Sequence, residues 1–469
     1  MMSPGAVAQT CDHRAANGEG EHRVGHYVPH TDDELSAMLA FCGLESLDDL
    51  YAHIPDAVRL VGGLDMVDGL AETDVMARLR AMAGRNSAAA EDLVSFAGFG
   101  AYDHELPTAV PALMMRSEFV TSYTPYQPEL SQGVLQALFE YQTMVASLFG
   151  LEIANASLYD GASAAVEGLN LAAAATKRTT VWVSEGIHPN VREVIRTLTG
   201  PRLDVRIAPV LNGITAWPDD LEEPAALLVG YPNALGCLED VPAAAQVAHD
   251  AGALLVAYAD PVAAGVLRSV GSQGADVAVG EGQPFGTPLG LGGPYLGLFA
   301  CRQASWVRRW LPGRLVGETV DNQDRRSYVL TLSTREQHIR RETASSNVCT
   351  NQTLIAVAAA IHLSWLGPDG LRELATRCVR GAHYARKQLF RIPGVEPSVS
   401  SRTLYEFPLR LERPVPDVLD RLAEEGYLGG VDLTPDYPDL GNTMLVAVTE
   451  TRTRDQIDGF SAALEKALA

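Results

Sequence analysis

Four stretches of this chain carry residues able to do chemistry. Residues 122–133 read Ser-Tyr-Thr-Pro-Tyr-Gln-Pro-Glu-Leu-Ser-Gln-Gly. Pro125 and Pro128 stiffen the stretch and hold Tyr123, Tyr126 and Gln127 in a fixed presentation. Two phenols, an amide and the Glu129 carboxylate make a polar face suited to shaping a pocket. The same stretch also reads as a structural loop that caps the next helix through Ser131. Residues 155–163, Asn-Ala-Ser-Leu-Tyr-Asp-Gly-Ala-Ser, open a helix. Gly161 and Ala162 keep that turn small. Ser163 and the first free backbone amides could then receive a phosphate, or the same residues could form an ordinary helix cap.

The third stretch is Gly-Gly-Pro-Tyr at 292–295, with Gly286, Gly290 and Gly297 around it. A dinucleotide-binding loop would lie between a strand and a helix. Here the glycines run into another strand, which excludes that reading. The fourth stretch, residues 335–352, is rich in arginine. From Arg302 to Arg341 there are nine arginines against four acids, in a chain of net charge −22. Such a patch suits a carboxylate or an acidic partner protein, and equally suits internal ion pairs. His338 is its titrating group, in a working or a structural role.

The elements that must position these residues follow from periodicity. A capping box at Thr31 and Glu34 starts a helix with Leu35, Met38, Leu39 and Cys42 on one face, closed by Gly43. A second short helix is expected over 47–53. Helices are expected over 134–149, 162–175 and 241–251. Short apolar strands recur at 180–183, 205–210, 226–230, 254–258, 276–279 and 295–299. Strands so continuously apolar belong to a largely parallel sheet covered on both faces. After Gly367 come helices over 371–390, 416–425 and 455–468, alternating with strands near 403–409 and 444–448. The expected organisation is a flexible arm over 1–26, a helical region and lead-in loop over 27–125, a large α/β domain over 126–367, and a small α+β domain over 368–469.

Composition narrows the function. With 47% hydrophobic and 20% charged residues the chain is globular, and its acidity excludes nucleic acid and anionic membrane surfaces as partners. The apolar run 354–366 holds His362 and Ser364 and is too short to span a bilayer. No apolar signal core precedes it, so a cytoplasmic protein is expected. The six cysteines have no close pairing, which favours reduced thiols over a zinc site. His22, His26 and His30 are separated by Gly25 and Pro29, which break any helix that would align them, so no metal site is expected.

A large α/β domain followed by a small one is the layout of fold-type I pyridoxal phosphate enzymes. These hold the cofactor as an imine on a lysine. This chain has only three lysines, Lys177, Lys387 and Lys466. Residues 280–286, just past a buried strand, read Gly-Glu-Gly-Gln-Pro-Phe-Gly, with Gln283 where the imine lysine is expected. An amide nitrogen is not nucleophilic, and an arginine cannot replace the lysine because it stays protonated.

The stretches 122–133, 155–161, 282–297 and 335–352, with 27–60, resemble subunit 1 of the two-subunit glycine dehydrogenase (decarboxylating), the P-protein of the glycine cleavage system. The resemblance covers nearly the whole chain. It implies a fold-type I subunit without a Schiff-base lysine, joined to a subunit 2 that carries pyridoxal phosphate in a hetero-oligomer. Glycine would be decarboxylated and its aminomethyl group passed to the lipoyl arm of the H-protein. Tyr123, Tyr126, Gln127 and His338 would shape the pocket, and Gly161 and Ser163 would mark a vestigial cofactor site. Thr343 stands in place of an expected Lys, Glu281 in place of Asp and Gly290 in place of Ser. These departures leave two alternatives open: a diverged paralogue acting on another amino acid, and a non-catalytic docking protein.

Overall fold

The computed structural model describes residues 29–60, 65, 69–88, 92–120, 125, 127–344 and 346–469, without the side chains of 307 and 308. The chain divides into two compact units, Met1–Arg85 and Asn86–Ala469. In the first, helix α1 (Asp32–Phe41) starts on the expected capping box. Thr31 N–H donates to the Glu34 carboxylate at 2.8 Å, and Glu34 N–H to the Thr31 hydroxyl at 3.3 Å. The expected second helix is a 3₁₀ segment, Leu47–Tyr51, and a further helix α2 (Glu72–Ala83) follows. Neither α1 nor α2 has a buried residue; on the apolar face of α1, Leu35 and Leu39 are half-buried and Met38 and Cys42 exposed.

The second unit is built on a seven-stranded sheet. Its strands are β1 (Ile153–Ala154), β2 (Thr180–Ser184), β3 (Asp204–Ala208), β4 (Ala226–Tyr231), β5 (Leu254–Ala259), β6 (Val277–Glu281) and β7 (Gly297–Cys301). Their spatial order is β1-β7-β6-β5-β4-β2-β3. Strands β2 to β6 pair in parallel, and β7 runs against both β6 and β1. Parallel strands buried on two faces need near-continuous apolar sequence, and β4 and β5 supply it as Ala-Leu-Leu-Val-Gly-Tyr and Leu-Leu-Val-Ala-Tyr-Ala. Helices α3 (Gln132–Phe149), α4 (Gly161–Thr176), α5 (Pro189–Thr199) and α6 (Val241–Asp250) connect and cover the sheet. Helix α3 buries Leu135, Leu138, Tyr141, Val145 and Phe149 along one stripe, the 3.6-residue periodicity visible in its sequence. Ser131 stands at its N-cap, but the hydroxyl makes no capping bond, contrary to the loop reading. Gln132 fastens this end instead, bonding through its side chain to the carbonyls of Pro128 and Tyr328.

Helix α7 (Thr353–Leu389) joins the apolar run 354–366 to the expected helix 371–390 across a break. Gly367, at φ 60° and ψ −178°, leaves the helical region, and Pro368 follows it. By length and composition α7 is apolar enough to cross a membrane, which the run 354–366 alone is not. In the fold it packs on α3 and buries Ile355, Ala356, Ala359, Cys378 and Ala382. A hairpin that the sequence pattern did not disclose, β8 (Leu315–Val320) with β9 (Arg326–Thr331), precedes it. The C-terminal part is an antiparallel sheet of β10 (Val395–Pro397), β11 (Glu406–Leu411), β12 (Val431–Asp432) and β13 (Thr443–Ala447), in the order β10-β11-β13-β12. It carries helices α8 (Val415–Glu424) and α9 (Arg454–Leu468). The architecture is thus the expected α/β class, a large mostly parallel sheet followed by a smaller C-terminal α+β assembly.

Phe299, wholly buried at the centre of β7, should be among the costliest positions to truncate. Phe299→Ala is expected to lower unfolding free energy by about 3–5 kcal/mol, read from a chemical denaturation midpoint at unchanged slope. A loss below about 1 kcal/mol would mean that β7 is not part of a close-packed core.

Candidate functional site

Ligands of open α/β sheets bind beyond the carboxyl ends of the parallel strands, and there a cavity of about 400 Å³ opens. Residues just past β2 (Gly186, His188), β4 (Pro232, Asn233) and β6 (Pro284) line it, with Asp260 after β5. The start of α4, Asp160 and Ala162, closes one side. Phe99 and Tyr102 come in from the segment before α3, and Tyr405 and Glu406 from the small sheet, so the wall is assembled from distant parts of the sequence.

Four carboxylates face this cavity, and each is held by donors of the chain itself. Glu281, the last residue of β6, accepts from the N–H groups of Gln283 and Leu296 at 2.9 Å each and from Gly161 N–H at 2.8 Å. Asp160 caps α4, accepting from Ser163 N–H at 2.6 Å. Asp260 accepts from Val262 N–H at 2.8 Å, from Ala263 N–H at 3.2 Å and from the Tyr405 hydroxyl. Glu406 accepts from Phe99 N–H at 2.6 Å and Tyr102 OH at 2.9 Å. No lysine or arginine lines the cavity among the described residues. Burial without a cation pushes Glu281 up to about 7 and Glu406 up to about 8, and raises Asp260 as well. Burial also lowers His188, whose ring packs tilted at 49° against Phe99 with centroids 4.1 Å apart.

Behind the cavity, His104 Nδ1 lies 2.7 Å from the Glu450 carboxylate, and the Cys378 thiol donates to it at 3.3 Å. Against the burial that would raise it, bonds from His104 and from Glu105 N–H hold Glu450 at about 2. These three side chains could in principle be metal ligands. Ligand atoms around a tetrahedral cation, each about 2.0–2.3 Å from it, stand well over 3 Å apart. The His104–Glu450 contact is a closed hydrogen bond, so the group is a polar network.

The residues singled out from the sequence are only partly brought together here. Asp160 and Ala162, beside Gly161, line the cavity. The cap reading of residues 155–163 is the one realised: Asp160 takes the Ser163 amide and Glu281 takes the Gly161 amide. Gly161 admits no side chain, since a Cβ there would stand 2.4 Å from the Tyr258 hydroxyl. Gln283 is buried with its side-chain nitrogen donating to the Thr287 carbonyl at 2.6 Å, and it does not line the cavity. Gln127 and His338 are exposed and away from the cavity, His338 standing 3.5 Å from Glu336. Tyr123 and Tyr126 lie outside the described residues. Among the patch arginines, Arg302, Arg314, Arg325 and Arg326 pair with Asp276, Glu336, Asp321 and Glu318, and Arg335 donates to the carbonyls of Leu311 and Gly313. Internal bridging therefore accounts for four of the nine arginines of that patch. Asp260 and His188 were not found from sequence. Both stand just past an apolar strand, which is the signal that would have found them. Tyr102 and Glu406 gave none, being 304 residues apart.

A pyridoxal phosphate site needs an amine, an anion-receiving helix N-terminus and a carboxylate free to meet the ring nitrogen. None of the three lysines lines this cavity, the α4 amides of Gly161 and Ser163 are taken by carboxylates, and Asp260 is engaged by Tyr405. The residues present do not fit the cofactor.

Residues 25–464 match the family model described as glycine cleavage system P-protein. The chain belongs to the P-protein family. It is 46% identical over 439 residues to a probable glycine dehydrogenase (decarboxylating) subunit 1 of Geobacillus kaustophilus, covering 92% of this chain and 97% of that one. The namesake of Moorella thermoacetica is 45% identical over 452 residues, covering 94% and 100%. A crystal structure of glycine decarboxylase (P-protein) of the glycine cleavage system, in inhibitor-bound form, superposes with TM-score 0.86 at 45% identity, covering 94% of this chain and 100% of that one. A Burkholderia pseudomallei sphingosine-1-phosphate lyase, 17% identical with TM-score 0.62 over 87% of this chain and 93% of its own, shares the fold. The α/β architecture of this P-protein-family chain is thus that of fold-type I pyridoxal phosphate enzymes.

The buried acids give this chain a characteristic pH dependence. A carboxylate raised in the folded state holds its proton there while the unfolded chain has lost it. Its contribution is therefore full below about pH 4.5 and disappears as pH rises through about 8 for Glu406. Denaturation midpoints should fall between pH 5 and pH 8, at up to about 1 kcal/mol per pH unit for one group. Glu406→Gln should flatten that fall; an identical slope in the variant would assign the dependence to other groups.

Proposed function

We propose that this chain is the lysine-less subunit of a two-subunit glycine decarboxylase. A homologous subunit 2 carries pyridoxal phosphate on its own lysine, and the pair decarboxylates glycine and passes the aminomethyl group to the lipoyl arm of the H-protein. The complex works in the cytoplasm. The observation that carries this reading is a fold-type I cavity without a lysine in its lining, in which the chain's own carboxylates take the Gly161 and Ser163 amides; Gln283, where the sequence predicts the imine lysine, is buried outside it. A chain with such a cavity needs a partner for the chemistry its relatives are named for. The uncovered apolar side chains of the first unit, Phe41, Leu47, Tyr51, Val58 and Leu60 among them, support a hetero-oligomer.

In this complex the chain's part is to position and enclose. The proline-stiffened segment around Tyr123, Tyr126 and Gln127 shapes the partner's pocket. Arg340 and Arg341, exposed, remain available to an acidic carrier. Electron withdrawal from the glycine carbon is supplied by the cofactor on the partner.

The test is co-expression with the lysine-bearing subunit. The isolated chain mixed with pyridoxal phosphate should yield no borohydride-trapped adduct and no glycine decarboxylation. The assembled pair should do both, with the trapped lysine on the partner. A stoichiometric adduct on Lys177, Lys387 or Lys466 would overturn the reading. Tyr123→Phe or Tyr126→Phe is expected to lower turnover of the assembled enzyme several-fold while leaving co-purification intact. Full turnover in both variants would return the segment to a purely structural role.

A further inference from the structure

The cavity departs from its fold in one chemically consequential way. Where a phosphate would meet free amides at the start of α4, the chain supplies two carboxylates of its own. Glu281 reaches from the end of β6 to Gly161 N–H at 2.8 Å, and Asp160 takes Ser163 N–H at 2.6 Å. The Gly161 and Ser163 amides, which would make this helix N-terminus attractive to anions, are thus already satisfied, and acidic side chains stand in the place of a phosphate.

The rest of the cavity has the matching character. Half-buried Asp260 and buried Glu406 add two more carboxylates, no described lining residue is a lysine or arginine, and Tyr102, Tyr258, Tyr295 and Tyr405 present aromatic surface. Its volume of about 400 Å³ is that of a small-molecule site. Acids and aromatic faces together are the surroundings that recognise an organic ammonium group, through charge and through the ring quadrupole. A hydrated metal ion would leave the aromatic walls unused.

We infer that this cavity accepts a small aromatic ammonium compound and turns away phosphate-bearing ligands, with Glu281 standing as a built-in anion where a ligand's phosphate would otherwise sit. Uptake of such a cation also relieves the enforced proximity of four acids. Because Glu281 and Glu406 are raised by burial, a cation entering the cavity would draw them into the ionised form and release protons. The inference concerns this chain's own cavity and does not depend on the partner subunit.

The test is a matched pair of ligands, pyridoxamine and pyridoxamine 5′-phosphate, which differ only in the phosphate and form no imine. Equilibrium dialysis with the full-length chain should show pyridoxamine saturating about one site per chain, at least tenfold tighter than its phosphate ester. Glu281→Gln removes the built-in charge and should reduce that ratio at least threefold. Asp160→Asn, which retains a helix cap, should do the same and serves should the Glu281 variant not fold. Equal or tighter binding of the phosphate ester, absence of saturable binding by pyridoxamine, or an unchanged ratio in the folded variants would each overturn the inference. Glycine decarboxylation is read separately on the assembled complex, so failure of the subunit assignment and failure of this ligand preference remain distinguishable.

Discussion

The Glu281 carboxylate is the fastening on which the site end of this fold depends. One oxygen accepts the N–H groups of Gln283 and Leu296 and the other accepts Gly161 N–H. A single side chain thereby joins the end of β6, the approach to β7 and the first turn of α4. Three backbone donors that would otherwise be buried and unsatisfied are paired at once, which is worth more than a surface ion pair. The close approach this requires is visible at Gly161, where any Cβ would strike Tyr258.

Building a cavity from carboxylates without a cation runs against the usual economy of protein interiors, where buried charges are paired. The chain solves the problem with neutral donors. Tyr102 and Phe99 N–H serve Glu406, and Tyr405 with the amides of Val262 and Ala263 serves Asp260. Hydrogen bonds of this kind partly replace hydration, and the remaining deficit appears as the raised pKa values of Glu281 and Glu406. Such a network persists because the sheet beneath it is apolar throughout: β4 and β5 are buried along almost their whole length.

The arginine-rich stretch shows how charge counted along a sequence differs from charge presented in space. Asp276, far from the stretch in sequence, takes Arg302, and the hairpin acids Glu318 and Asp321 take Arg326 and Arg325. The two hairpin pairs are exposed and contribute little stability, whereas Asp276 is buried. The consequence of these pairs is that, with Arg314 on Glu336, four of the nine arginines are neutralised before any partner arrives.

The order of helices and strands in the second unit, the parallel character of the sheet and the absence of a usable lysine near residue 283 were determined by the sequence alone. Apolar runs four to six residues long and stripes at helical spacing are local properties, and a missing residue type needs no coordinates. The hairpin Leu315–Thr331 escaped because its strands are short on apolar residues and partly exposed, so no periodicity marks them. The joining of 354–366 to the following helix escaped because Gly367 and Pro368 interrupt the pattern while the axis continues. Only the tertiary structure decided that Ser163 and Gly161 receive carboxylates in place of a phosphate, that Gln283 turns away to Thr287, and that Tyr102 meets Glu406. The bonds of Glu281 to Gly161 and of Glu406 to Tyr102 join residues 120 and 304 positions apart, and such pairings leave no mark in local sequence. The bonds of Asp160 to Ser163 and of Gln283 to Thr287 are local, and there the sequence left more than one arrangement open.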